Sequence, residues 1–257
     1  MSENLSAVNA VAGLKSLPTL SIVIPAFNEA ARIELALDRV LEFVHQRELA
    51  TEILVVDDGS SDSTALIVQR YIAAHPDGRV QLLRMGQNRG KGAALRTGVI
   101  SSRGGRVLVM DADLATPIEM LDRLWVALDE GAEVAIGSRA TSGSNIKRSQ
   151  STLRVLFGRA GNLWIQALAV PGVHDTQCGF KLFQGEWGRR IWKLSREERF
   201  GVDVEVLCLA RRKFGLRIAE VGVAWEHRDG SKVRLKDYFD VFVKVPRIVW
   251  SVLRTRE

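Results

Sequence analysis

At 257 residues, 46% hydrophobic and 26% charged, the chain has the length and apolar content for one large domain or two small ones. No apolar run reaches about 18 residues, which excludes a transmembrane helix from the expectation. Lys and Arg outnumber Asp and Glu by 36 to 30, a net +6, which suits nucleic acid, an anionic membrane or a phosphorylated substrate. The two cysteines, Cys178 and Cys208, form no Cys-x-x-Cys pair, and the four histidines show no ligand spacing, so neither a disulfide scaffold nor a zinc site is expected. A reducing compartment fits.

The first stretch, residues 1–18, lacks the basic start and long apolar run of a secretory signal and reads as a loose tail. Leu20 to Ile24 is an unalternating apolar run, expected as a buried strand closed by Pro25, which cannot continue a ladder. Asn28 is the expected N-cap of a helix carrying Ile33, Leu37, Val40, Leu41 and Val44 at helical spacing. Ile53 to Val56 is a second buried strand. Asp57-Asp58-Gly59-Ser60-Ser61 then makes a turn whose serines cap a helix with Ala65, Val68 and Ile72 inward. Val80 to Leu83 is a third strand. Arg89-Gly90-Lys91-Gly92-Ala93-Ala94-Leu95 fails the tests for both a Walker loop and a dinucleotide fingerprint. Two readings stay open for it: a helix N-terminus near an anion, or a glycine cap with close helix packing.

Val107-Leu108-Val109-Met110 is the strand around which the chain is organised, because it runs directly into Asp111-Ala112-Asp113. Burying two unpaired carboxylates beside such a strand is too costly, so both acids belong just past its C-terminal end, where open α/β sheets bind ligands. Two carboxylates a short step apart make a hard-oxygen site for a divalent cation. The alternative is a strand ending in a solvated acidic turn. Pro117 sits in the first turn of a helix through Leu121, Leu124, Trp125 and Leu128, ended by Gly131, and Glu133 to Arg139 is a fifth strand. Strands alternating with helices predict an α/β fold with a mostly parallel central sheet. Beyond it, residues 141–151 read as a polar loop. Residues 153–170 read as a helix apolar almost all round, either a core or dimer helix or one lying on a membrane. The composition of residues 175–183 says little. Phe200 opens a helix with Asp203 and Glu205 in its first turn, Leu216 to Trp225 alternates as a strand, and residues 228–232 form a basic turn. From Leu235 to Leu253 aromatic, aliphatic and basic residues mix, and Pro246 is expected to kink a helix or start a second one.

Four strand-end signals then line up: Pro25-Ala26-Phe27-Asn28-Glu29, Val56-Asp57-Asp58-Gly59-Ser60, Asp111-Ala112-Asp113 and Gly137-Ser138-Arg139. Together they resemble the family 2 inverting glycosyltransferases of GT-A fold, a Rossmann-like parallel sheet flanked by helices. The blocks beginning at Arg89, Asp175, Asp203 and Gly230 are similar to the dolichyl-phosphate β-glucosyltransferase branch, and the resemblance runs from Pro18 to Lys232. It implies a nucleotide-sugar half over 19–140 and an acceptor half over 141–257 of one domain, the latter with amphipathic C-terminal helices at a membrane interface. Pro25, Phe27, Glu29, Val56, Asp58, Lys91, Asp111, Ala112, Asp113 and Arg139 would line the nucleotide-sugar site. Asp58 would accept a hydrogen bond from the base, Asp111 would lie near the ribose, and Asp113 would hold Mg²⁺ or Mn²⁺ on the diphosphate. Arg139, Arg228 and Lys232 would neutralise phosphate charge. Asp111, Asp113, Asp175 and Asp203 are the acids implied in the chemistry. For a hydroxyl acceptor, Asp175 or Asp203 would be base or acceptor-positioning residue; otherwise each is a helix cap or an ion-pair partner. No catalytic histidine is expected.

The implied reaction moves a hexose, glucose from UDP-glucose by the Asp175 block, to a polyprenyl monophosphate with inversion. Alternatives are a soluble hydroxyl acceptor, or mannosyl transfer from GDP-mannose. Three departures stand out: Phe27 where the family often has Tyr, Leu114 where relatives often carry Gly, and no N-terminal membrane helix. The expected partners are the donor, the lipid acceptor and an anionic membrane surface with Trp164 and Trp250 as anchors, a homodimer surface being the other reading of the same residues. That places the protein in the cytoplasm, peripheral at the cytoplasmic face of a membrane. Nucleic acid is not an expected partner, for want of a stacking or helix-turn-helix motif.

Overall fold

The computed structural model describes residues 17–141, 145–146, 163–226 and 235–255. The five expected strands all form: β1 (Leu20–Ala26), β2 (Thr51–Asp57), β3 (Val80–Arg84), β4 (Arg106–Val109) and β5 (Val134–Ser138). Two later strands join them, β7 (Lys181–Gln184) and β8 (Ile218–Gly222), in the order β3-β2-β1-β4-β7-β5-β8. A separate parallel pair is made by β6 (Asn145–Ile146) and β9 (Ala224–Trp225).

The apolar runs do not alternate because both sheet faces are covered. Leu20, Ile22, Ile24, Ile53 and Val55 face α1 (Ile33–Gln46), α2 (Thr64–Ala74) and α4 (Leu121–Asp129). Val23, Leu54, Val56, Val107 and Val109 face the opposite layer. That layer holds α3 (Lys91–Ser101), α5 (described over 163–168), α6 (Gly185–Leu194), α7 (Val202–Cys208) and α8 (Leu235–Arg254).

β7 is antiparallel to both β4 and β5, so β4 and β5 are parallel to each other. With β1 parallel to β2 and β4, and β8 parallel to β5, the C-terminal ends of β1, β2, β3, β4, β5 and β8 share one rim. β7 enters the sheet from that same rim. The stretch leading into it, residues 175–180, is therefore delivered beside Asp111 rather than to the far edge.

Several local expectations are corrected. β1 continues through Pro25 to Ala26. Pro25 shares the ladder side of Val23, whose carbonyl takes the last bond from Met110, so no N–H is needed there. Asn28 is not a helix N-cap. It sits at φ 53°, and its side-chain oxygen accepts from the N–H groups of Ser61 and Asp62, while α1 starts at Ile33. The cap-like contact for α2 comes from Asp62, which accepts from Thr64 N–H, and not from the serines. Pro246 starts no second helix: α8 runs through it. The strand expected over 216–225 divides into β8 and β9, and β7 and α6 were not anticipated.

α3 crosses the sheet at Gly98, where a Cβ would lie 2.9 Å from Val56 Cγ2 and closer still to Val23 Cγ1. Gly98→Val should cost about 1–3 kcal/mol through overpacking. Urea unfolding checks this, and an unchanged midpoint would mean α3 can lift without penalty.

Candidate active site

The turn after β2 brings Asp58 under the start of α3. Asp58 is buried, and its two carboxylate oxygens accept from Arg89 N–H at 2.8 Å and Gly90 N–H at 2.7 Å. Burial pushes the Asp58 carboxyl up, and those two backbone donors pull it back only in part. Both open readings of the Arg89–Leu95 block are therefore met. The anion at this helix N-terminus is the protein's own Asp58. The glycines serve close packing: Gly90, at φ 110°, and Gly92 lie against the backbone of Glu197 and Glu198, and Ala93 N–H bonds Glu198 O at 3.2 Å.

From the first turn of α3, Lys91 reaches across to Asp111, Nζ to Oδ1 at 2.7 Å. Burial works to lower the Lys91 ammonium, but the charges of Asp111, Asp203 and Asp113 outweigh it and hold the group well above the usual lysine value. Asp113 accepts from Ala115 N–H at 3.0 Å, and among the described residues no cationic side chain pairs with it directly. Burial, then the neighbouring Asp111 charge, pushes its carboxyl up, and Arg32 and Lys91 offset that only in part. Two carboxylates that share one lysine between them, one of them left short of positive charge, fit a divalent cation of hard-oxygen preference. Among the described residues no cluster of three or more potential ligands occurs, so substrate oxygens or water would complete its shell.

Two ion pairs support this centre, one partly exposed and one buried. Arg139, just past β5, donates to Asp175 from Nε at 2.7 Å, from a terminal nitrogen at 2.8 Å and from its backbone N–H at 2.9 Å. Burial works to raise the Asp175 carboxyl, but the Arg139 charge and hydrogen bonds win and hold it below the usual range. Lys181, fully buried at the start of β7, donates to Asp203 and to the carbonyl of Cys178. Gly179 closes the arrangement: a Cβ there would lie 2.7 Å from Asp111 Cγ, so a larger residue would displace the Asp111 carboxylate from its place beside Lys91.

The rim thus gathers Pro25, Phe27, Glu29, Asp58, Lys91, Asp111, Asp113, Arg139, Asp175 and Asp203. Val56 and Ala112 lie at the same strand ends with their side chains buried in the core, so it is their backbone that could face a ligand. Asp175 is engaged by the partly exposed Arg139 and Asp203 by the buried Lys181, which makes each a poor free base in this arrangement. Arg228 and Lys232 lie outside the described residues, as do the tail up to residue 16, most of the 141–151 loop and the first part of the 153–170 helix. The sequence reading missed Arg32, which pairs with Glu29 at 2.7 Å and whose charge reaches Asp113, and Trp225, whose ring lies 5.4 Å from the Arg139 guanidinium. The available signal for Arg32 was a cation at the mouth of a helix, where sequence rules prefer Ser, Thr, Asp or Asn.

The family model for glycosyl transferase family 2 matches residues 21–190, and the chain belongs to that family. The chain is 39% identical to a dolichyl-phosphate beta-glucosyltransferase of Dictyostelium discoideum, over 83% of this chain and 68% of that protein. Its identity to the enzyme of the same name is 38% in Drosophila melanogaster and 35% in Homo sapiens, each over 83% of this chain and 69% of the relative. Among solved structures, glucosyl-3-phosphoglycerate synthase from Mycobacterium tuberculosis with Mn²⁺, uridine diphosphate and glucosyl-3-phosphoglycerate matches with TM-score 0.66 and 23% identity, covering 93% of this chain and 81% of that one. At that identity the likeness establishes a shared fold.

Lys181→Met should destabilise the fold by about 3–5 kcal/mol, because it strands the Asp203 charge in the interior. The double variant Lys181→Met/Asp203→Leu should recover much of that loss. Denaturant melts of the set decide it, and simple additivity would show that the pair is not coupled.

Proposed function

We propose that this chain transfers glucose from UDP-glucose to dolichyl or another polyprenyl monophosphate, with inversion at the anomeric carbon. The 35–39% identity to dolichyl-phosphate beta-glucosyltransferases over 83% of the chain supports the acceptor and the sugar. The observation that carries the chemistry is Lys91 set against Asp111 beside an undercompensated Asp113 on the sheet rim.

In this reading Asp58 keeps lone pairs free of its two backbone bonds and accepts from the base of the nucleotide. Asp113, with Asp111, holds Mg²⁺ or Mn²⁺, which when bound supplies charge stabilisation to the departing diphosphate. Lys91 and Arg139 add fixed positive charge along the same rim, with Arg139 kept in place by Asp175. The acceptor phosphate oxygen attacks the anomeric carbon from the face opposite the diphosphate. The carbon–oxygen bond to the diphosphate breaks and its electron pair leaves with that group. A phosphate monoester is already anionic at neutral pH, so no side chain need remove a proton. Asp175 and Asp203 accordingly act as positioning residues.

The acceptor's isoprenoid chain requires access to a bilayer. α8 turns Val245, Ile248 and Val252 to the core, yet its other side exposes Phe242, Val243, Trp250 and Leu253. Exposed Leu163 and Trp164 of α5 extend that patch, with Trp164 stacked on Phe242 at 5.3 Å. Among the described residues no helix is long and apolar enough to cross a membrane. The patch is read here as a surface that lies on anionic lipid at the cytoplasmic face, with exposed Arg247 and Arg254 beside it.

Two measurements test the reading. With purified protein, Mg²⁺ or Mn²⁺ and polyprenyl phosphate, UDP-glucose should outperform GDP-mannose and other donors. Chelator should abolish transfer, and Asp113→Ala should lower kcat/KM by about 10²–10³ or more. Normal turnover by Asp113→Ala would overturn the cation assignment, and transfer to soluble acceptors alone would overturn the lipid. Separately, the protein should sediment with phosphatidylserine-containing vesicles more than with neutral ones. The Trp250→Ala/Leu253→Asp variant should lose most of that binding, and a dimer that loses its self-association instead would reassign the patch.

A further inference from the structure

A second charged site shares no residue with the donor rim. At the C-terminal end of α8, Arg196, Trp250, Ser251, Arg254 and Thr255 line an open cavity of about 340 Å³. Two arginines facing one cavity repel each other unless an anion balances them. Among the described residues no carboxylate pairs with either guanidinium. The neighbouring acids are engaged elsewhere: Glu197 by Lys244, Glu198 by Arg89 and Arg96, and Glu205 by the backbone N–H groups of Arg196 and Glu197. The arginines are not needed as helix caps either. Thr255 takes two of the last carbonyls of α8, donating from its N–H to Val252 O at 3.2 Å and from its hydroxyl to Ser251 O at 2.9 Å. Arg254 lies on the Trp250 ring, 4.0 Å from its centroid, which fixes the plane of the guanidinium. Trp250 and Leu253 also belong to the exposed apolar patch of α8. A cavity suited to an anion thus opens beside a surface suited to hydrocarbon, and an ionised lipid carries both chemistries in one molecule.

We propose that this cavity binds the phosphate monoester head group of a bilayer lipid. Arg196 and Arg254 grip the phosphate oxygens through their planar forks, Ser251 donates its hydroxyl, and the hydrocarbon lies along Trp250 and Leu253. The inference rests on the membrane reading above and sharpens it: the surface recognises a head group as well as a charge density.

The test uses the full chain and two sets of vesicles matched in surface charge, one containing phosphatidic acid and one phosphatidylserine. The protein should bind the phosphatidic acid vesicles about tenfold more tightly. Arg196→Gln should remove that preference. It should leave the urea unfolding midpoint at the wild-type value, because Arg196 is exposed. Arg196→Lys, which keeps the charge and loses the fork, should bind phosphatidylserine as the wild type does and show a reduced preference for phosphatidic acid. Equal binding of the two vesicles by the wild type, or a preference untouched by Arg196→Gln, would overturn the proposal and leave the membrane reading standing. Absence of binding to either vesicle would sink the membrane reading itself. Calorimetry with glycerol 3-phosphate separates the sources: binding of this soluble ester that Arg196→Gln abolishes, without a vesicle preference, would assign the cavity to a soluble phosphate and overturn the lipid.

Discussion

A run of charge that starts in the interior and ends at the surface holds the rim together: Lys181 and Asp203, both buried, then Lys91, and the partly exposed Asp111 and Asp113. Lys181 has no exposure at all, and an ammonium in that position is tolerable only because Asp203 and the Cys178 carbonyl accept from it. Lys91 feels both Asp203 and Asp111, so one cation is shared between the supporting pair and the rim. The run ties together the end of β4, the start of β7, the first turn of α3 and the first turn of α7. β7 and α7 cannot part without leaving the Lys181 or Asp203 charge uncompensated in the interior. At its outer end Asp113 is the member still short of positive charge, which is where a cation-dependent ligand would complete the series.

The antiparallel strand β7 is the topological device that makes this possible. Were it parallel, the stretch before it would emerge at the opposite edge and neither Asp175 nor Gly179 could meet the Asp111 rim. Inserted as it is between β4 and β5, it carries Asp175 to Arg139 and threads Gly179 past Asp111. The loop leaving Asp113 turns hard at the same place: Leu114 takes a left-handed conformation at φ 54°, which costs a non-glycine residue about 1–2 kcal/mol. Leu114 is partly buried and packs against the core cluster on that face of the sheet.

α8 buries Val245, Ile248 and Val252 and exposes Phe242, Val243, Trp250 and Leu253 beside Arg247 and Arg254. Lys244 from α8 reaches Glu197 at 3.5 Å, and Glu197 and Glu198 press on the glycines that open α3. The helix read as membrane-facing and the helix that presents Lys91 are thus joined through one short loop.

Much of the architecture was legible from residue order. Unalternating apolar runs ending in Asp58, Asp111 and Arg139 determined five strands and the rim where function would sit, because burial on both faces leaves no other place for charge. The period of Ile33, Leu37, Val40 and Val44 determined α1 in the same way. Three things were decided only in three dimensions. The antiparallel entry of Lys181–Gln184 was silent because four residues without alternation carry no directional signal. The partnering of Asp175 with Arg139 and of Asp203 with Lys181 joins residues 36 and 22 positions apart, and no local spacing encodes it. Whether Val56 and Ala112 point to ligand or to core depends on which face of the pleat meets α3 or α4, and only packing against those helices selects it.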